Sequence, residues 1–157
     1  MSSSSRFAIA VHVLTLMAER GDVPLKSDMV ACSVNTNPVV IRRIVCSLQR
    51  ARIVTSQTGA AGGSRLARTP REITLLEVYK AVEGGRLLSL HRQRPDPHCS
   101  VGMNIESVLS VILREAEDAF EQVLAKLTVE KVLRAVKTCG ARRKRDSRAL
   151  SRKSALS

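Results

Sequence analysis

The chain has 157 residues, a formal net charge of +12 and 44% hydrophobic residues, but no Trp, and Phe7, Tyr79 and Phe120 are its only Phe and Tyr residues. That is enough for one domain with an aliphatic core and an extension, and too few rings to stack the unpaired bases of single-stranded RNA. No run approaches the ~18 apolar residues of a membrane span and the Ser-rich start lacks a signal-peptide core, so a cytoplasmic protein is expected, with Cys32, Cys46, Cys99 and Cys139 as thiols.

In chain order, the first predicted element is a helix from Phe7 to about Arg20, with apolar positions Phe7, Val11, Leu14 and Ala18 and with Gly21 placed to end it. His12 lies within this helix without a second ligand at helical spacing, so it reads as structural. Ser27–Val34 forms a short second helix, and Val34, Asn35 and Thr36 make a tight link in which Asn35 suits a left-handed conformation. The next helix opens with Asn37 as N-cap and Pro38 in the first helical position. Its period places Ile41, Ile44, Val45 and Leu48 on one apolar stripe and Val39, Arg43, Cys46 and Arg50 opposite, with Arg42 and Gln49 flanking. One face packs and the other offers cations, which fits the second helix of a helix-turn-helix. Ile53–Gln57 and Arg65–Ala67 then read as short strands around Gly59, Gly62 and Gly63, a wing able to approach a phosphate backbone.

Beyond the wing, Thr74 caps a helix through Val82 that closes at Gly84 and Gly85. The segment from Arg86 to Gly102 has no clear period and contains Pro95 and Pro97, as a connector would. A long helix from about Asn104 to Leu127 carries an apolar band too broad for one partner: its own domain can cover part, and a second copy of the chain or an intramolecular bundle the rest. Thr128 is placed to cap a short last helix to about Val136. The tail from Thr138 has few large apolar groups and is expected to be disordered or only transiently helical.

Several of these pieces together resemble one family. The opening RFAIAVHVLTLMA, the TNPVVIRRI segment, the glycine-bearing wing, ARTPREITLLEVYKAVEGG and PDPHCSVGMNI occur in the order found in the Rrf-two family of bacterial winged-helix transcription regulators, which includes the iron-sulfur regulator IscR. The resemblance covers Ser5 to about Leu133. The TNPVVIRR and PHCSVG forms look closest to its YwnA-like branch, which lacks the cluster-binding cysteines. It implies a mainly α fold with a small β wing, a winged helix-turn-helix domain plus a long dimerisation helix, and double-stranded DNA and a second copy of the chain as partners, with no membrane association. Where relatives carry an Arg, a further glycine and an aromatic residue at the wing, this chain has Thr58, Ala61 and Ser64.

The expected layout is a DNA-binding domain over 1–85, a connector and sensing loop over 86–103, dimerisation and short C-terminal helices over 104–136, and a basic tail over 137–157. Candidate DNA contacts are Thr36, Asn37, Val39, Arg42, Arg43, Arg50, Thr58, Gly62, Gly63 and Arg65, since guanidinium reads guanine edges and hydroxyl, amide and helix-terminal N–H groups meet phosphates. Dimerisation is assigned to Ile105, Val108, Ile112, Ala116, Phe120 and Val123. Cys99, Cys46 and His98 are candidate redox or effector residues, with His98 offered as the cause of a reactive Cys99. The connector holds one Cys where cluster-binding relatives carry three, so no cofactor and no metal are expected. Positive charge is uneven: residues 1–70 hold nine Lys/Arg against three Asp/Glu, and residues 137–157 eight against one. The expected activity is a homodimeric repressor responsive to a small-molecule or redox signal, and not an enzyme; the alternative is an architectural nucleoid protein without sequence discrimination.

Overall fold

The computed structural model describes residues 5–59, 61–84 and 87–154, with side chains to residue 143. The elements run α1 (Arg6–Arg20), α2 (Ser27–Val34), α3 (Pro38–Arg50), β1 (Val54–Gln57), β2 (Gly63–Leu66), α4 (Leu75–Val82), α5 (Ser100–Ala125) and α6 (Val129–Ser154).

The helix-turn-helix is closed by backbone geometry. Asn35 takes the left-handed conformation (φ 57°, ψ 55°). From there Asn35 N–H reaches Cys32 O at 3.3 Å and Thr36 N–H reaches Ala31 O at 3.0 Å, a Schellman ending that satisfies the last carbonyls of α2. The exit of α3 repeats it: Arg52 N–H bonds to Gln49 O and Ile53 N–H to Leu48 O, both at 2.9 Å. Here a non-glycine residue, Arg52, holds φ 56°, at a cost of about 1–2 kcal/mol.

The core is aliphatic. Ala10, Val13, Leu14 and Met17 of α1 meet Val30 and Ala31 of α2, Ile41, Ile44, Val45 and Leu48 of α3, Ile53, Ile73, and Val78 and Val82 of α4. Each of the larger side chains contributes roughly 1.5–3 kcal/mol by leaving water. On α1 the buried face centres on Ala10, Val13, Leu14 and Met17, while Phe7, Val11 and Ala18 are only partly buried. This helix is apolar almost all round, so its period alone does not select the face.

β1 and β2 pair antiparallel in the register Val54↔Leu66, Thr55↔Arg65, Ser56↔Ser64 and Gln57↔Gly63. Strand β2 begins two residues before the expected Arg65 because Gly63 and Ser64 pair with Gln57 and Ser56, and on its other edge Ser64 exchanges both backbone hydrogen bonds with Leu25, each 2.9 Å. The wing is thereby tied to the α1–α2 link. A Cβ on Gly63 would lie 2.8 Å from Leu25 O, so glycine permits this close approach.

Helix α4 starts in a capping box between Thr74 and Glu77. Glu77 also takes a 2.8 Å ion pair from Arg68, joining the wing exit to α4. The helix ends in an extended Glu83, not at Gly84; Gly85 lies outside the described residues. The α5–α6 junction docks on the start of α4, where Leu75 N–H bonds to Leu127 O at 2.9 Å and Val129 N–H to Ile73 O at 3.0 Å.

Two expectations about the C-terminal part need correction. Helix α5 begins at Ser100, four residues before the expected Asn104, because Cys99 takes the N-cap position. The short last helix and disordered tail are replaced by one helix, α6, running to Ser154. Thr138–Ser154 continues a helix already nucleated by docking, which removes the initiation cost a separate tail helix would carry.

A candidate DNA-reading face

The reading helix is built as its sequence suggests. Asn37 Oδ1 accepts Val39 N–H at 2.8 Å and Pro38 occupies the first turn. Ile41, Ile44, Val45 and Leu48 are buried, whereas Val39, Arg42, Arg43, Cys46, Gln49 and Arg50 are exposed. A cationic face therefore points outward from a helix whose other side is locked in the core.

The cap has a chemical consequence. Val39 N–H is taken by Asn37 Oδ1, and Val40 and Ile41 N–H both turn to Asn37 O at 2.9 and 3.4 Å, while proline has none. The helix-terminal N–H groups expected to meet a phosphate are already used. At this end the Thr36 hydroxyl and the Asn37 amide nitrogen are the groups with the right chemistry for phosphate oxygen.

Arg42 lies 3.5 Å from Asp28 of α2, with the two side chains 61% and 75% exposed. In water such a pair contributes between zero and about 1 kcal/mol, but it sets a carboxylate beside the cationic face. Sequence reading missed Asp28, since no local spacing links it to Arg42 across the turn. It also missed Arg52, an exposed cation at the corner between α3 and β1. The only signal was its position just past a helix end, where glycine is usual.

In the wing, Thr55, Gln57, Thr58 and Arg65 are exposed, and Ser56 and Ser64 hydroxyls pair at 2.8 Å across the strands. Gly62 is buried and Gly63 half-buried. A Cβ on Gly62 would run into the backbone oxygen of Gln57. Both glycines therefore shape the hairpin from inside, and Thr58 and Arg65 are the wing candidates with side chains on the surface.

The α5 residues separate into two stripes. Val108, Ile112, Ala116 and Val123 are exposed and Ile105 half-buried. Phe120 faces the body: its ring meets Tyr79 edge-on at 5.1 Å, and Tyr79 meets Phe7 at 5.7 Å. Burial, then Glu83, Glu117 and Glu121 nearby, raise the Tyr79 pKa. Lys80 bridges to Glu121 at 2.8 Å, fixing α5 against α4. Phe120 is thus occupied within its own chain, unlike Val108, Ile112 and Val123.

All four cysteines are free and exposed. Cys46 sits on the outer face of α3 between the Arg42–Arg43 pair and Arg50. The Cys99 thiol is pulled below the usual range by Gly102 N–H and then Val101 N–H, opposed by slight desolvation. The helix start, rather than His98, is the cause. His98 instead gives its backbone N–H to Asp96 Oδ1 at 2.9 Å. His12 Nε2 stands 3.2 Å from Ser33 Oγ, tying α1 to α2.

This arrangement of a buried-backed cationic helix, a turn closed on Asn35 and a two-stranded wing defines a winged helix-turn-helix DNA-binding protein. The comparisons with known proteins name the family. The model of the Rrf2 family, described as an iron-dependent transcriptional regulator, matches residues 3–135. The chain is 39% identical over 130 residues, 83% of its length and 96% of the relative's, to the candidate HTH-type transcriptional regulator YwnA of Bacillus subtilis (strain 168). It is 36% identical to a candidate DNA-binding protein of known crystal structure, with a TM-score of 0.66 over 82% of this chain and 99% of that one. CymR, the global cysteine regulator of B. subtilis, shares the fold at 21% identity, TM-score 0.66, over 86% and 98% of the two chains. The chain belongs to the Rrf2 family: it is a DNA-binding transcriptional regulator, in a family that is not enzymatic.

The family description carries iron, and the donors here do not fit a cluster. The connector offers the single thiol Cys99, and among the described residues no three His, Cys, Asp or Glu side chains are grouped to hold a metal. A cluster normally needs four ligands, mainly thiolates. Among the described residues, no helix is long and apolar enough to cross a membrane.

Proposed function

We propose that this chain is a homodimeric repressor that reads a pseudo-palindromic promoter site. Arg42, Arg43 and Arg50 supply the cations of the reading helix, with Val39 available for contact with a thymine methyl. Thr36, Asn37, Thr58 and Arg65 position the backbone. Two subunits join along the outer stripe of α5, where Ile112 is 52%, Val108 53% and Val123 58% exposed; so much aliphatic surface in one band is the mark of an interface. A dimer sets two reading helices at fixed spacing, and occupancy of a promoter suffices to block it. Such a regulator works in the cytoplasm, beside the chromosome. The signal reaches it through the Cys99 connector or through Cys46 on the reading face.

The observation that carries this reading is the exposed Arg42–Arg43–Arg50 face on a helix backed by four buried aliphatic residues. Selection of bound duplexes from a random pool tests it. A recovered site with two half-sites one helical turn apart, or a multiple of that turn, is expected. Recovery of unselected sequence would favour the architectural reading, for which the net charge of +12 speaks.

A further inference from the structure

We infer that the second half of α6, residues 137–154, is a helical arm that binds duplex phosphates outside the site read by α3 and the wing. The inference rests on the proposed DNA reading and extends it.

The first turns of α6 are anchored. Val129 is buried and Val132 and Leu133 are half-buried, and Val132, Leu133 and Val136 line a groove with Val11, His12 and Ser33. Beyond this the character of the helix changes at once, because residues 137–143 are all exposed. Residues 137–157 carry eight Lys/Arg, one Asp and only two large aliphatic residues, Leu150 and Leu156. By sequence, such a segment has too few large apolar groups to supply a stripe for packing on protein or a face for a bilayer.

Its charge pattern points to an anionic partner. Arg142 and Arg145, Arg145 and Arg148, Lys144 and Arg148, and Arg148 and Arg152 stand three or four positions apart, spacings at which like charges on a helix repel. Neutralisation by phosphates removes that repulsion and releases condensed counterions. Position selects duplex DNA among polyanions. Ser33, on the last turn of α2, lines the same groove as Val136, so α6 leaves the body beside the helix-turn-helix. Residues 137–154 then extend roughly 27 Å at 1.5 Å per residue, about the length of eight base pairs of duplex at 3.4 Å each.

The experiment compares the full chain with the variant Arg142→Gln, Arg143→Gln, Arg145→Gln and Arg148→Gln, its fold checked by circular dichroism. Binding is measured by fluorescence anisotropy across a salt series, on the selected site with long flanks and on a random duplex of equal length. If the two arms of the dimer neutralise one phosphate each, the variant binds both duplexes roughly 60-fold more weakly at about 0.1 M salt, with a log–log salt slope shallower by about two. The preference for the selected site over the random duplex stays unchanged. Equal affinity and slope for variant and parent overturn the arm, as does a loss confined to vesicles of anionic phospholipid. Failure of the underlying reading is a separate result: the parent then shows no preference for any duplex, while the slope comparison on random DNA still decides the arm.

Discussion

Among the described residues, Asp28 is the acid that pairs with a candidate contact on the reading helix, and Asp28→Asn isolates its effect. At 3.5 Å from Arg42, the Coulomb attraction is about 1.2 kcal/mol in bulk water. With both side chains mostly exposed, solvent and salt reduce it further, so the fold should lose no more than about 0.5 kcal/mol. On DNA the sign reverses. The carboxylate repels phosphate and competes for Arg42; removing it adds up to one effective phosphate contact, worth about eightfold in affinity at about 0.1 M salt and a slope steeper by about 0.9. Anisotropy titrations on operator and random duplex across a salt series measure both quantities, with thermal unfolding as the control on the fold. Weaker binding by the variant, or a slope unchanged, would refute the argument that Asp28 and the DNA compete for Arg42.

Other outcomes follow from separate parts of the molecule. Thr74→Ala removes the capping-box hydroxyl and should cost about 1 kcal/mol of stability, read from denaturant unfolding. Burial raises the Glu77 pKa, but the Thr74 N–H, Arg68 and the Thr74 hydroxyl together bring it below its ordinary 4.5; stability from this carboxylate is present above that pH and lost as the pH falls through the folded value. Glu77→Gln should flatten that acid limb of the stability curve. Ile112→Glu places a charge on the exposed stripe of α5, and should weaken dimerisation by about 3 kcal/mol or more, over a hundredfold, while leaving the helical content of the subunit intact; sedimentation reads the mass and circular dichroism the helix. Cys99 should react with iodoacetamide faster at neutral pH than Cys32, because the Gly102 and Val101 N–H groups favour its thiolate. If oxidation weakens operator binding in the parent and in Cys46→Ser but not in Cys99→Ser, the connector transmits the signal.

Much of the reading unit was legible because its determinants are local. Asn37–Pro38 marks a helix start and Asn35 suits the left-handed turn, whatever surrounds them. The stripe Ile41, Ile44, Val45 and Leu48 leaves only one face for the arginines. Long-range pairing was not legible: Ser64 with Leu25, Arg42 with Asp28, and Phe120 with Tyr79 all depend on packing across many residues. The N–H groups at the start of α3 were misjudged because the same Asn37 that announces the helix also consumes its donors. The tail was misjudged because composition argues against a free helix and says nothing of one continued from a docked segment.

The most direct test of the central claim is the affinity of Arg43→Ala for the selected operator and for a random duplex of the same length, at one salt concentration. Sequence reading by the exposed face of α3 predicts a loss of about 1–3 kcal/mol on the operator and much less on random DNA. Equal losses on the two duplexes, or none on either, would contradict it.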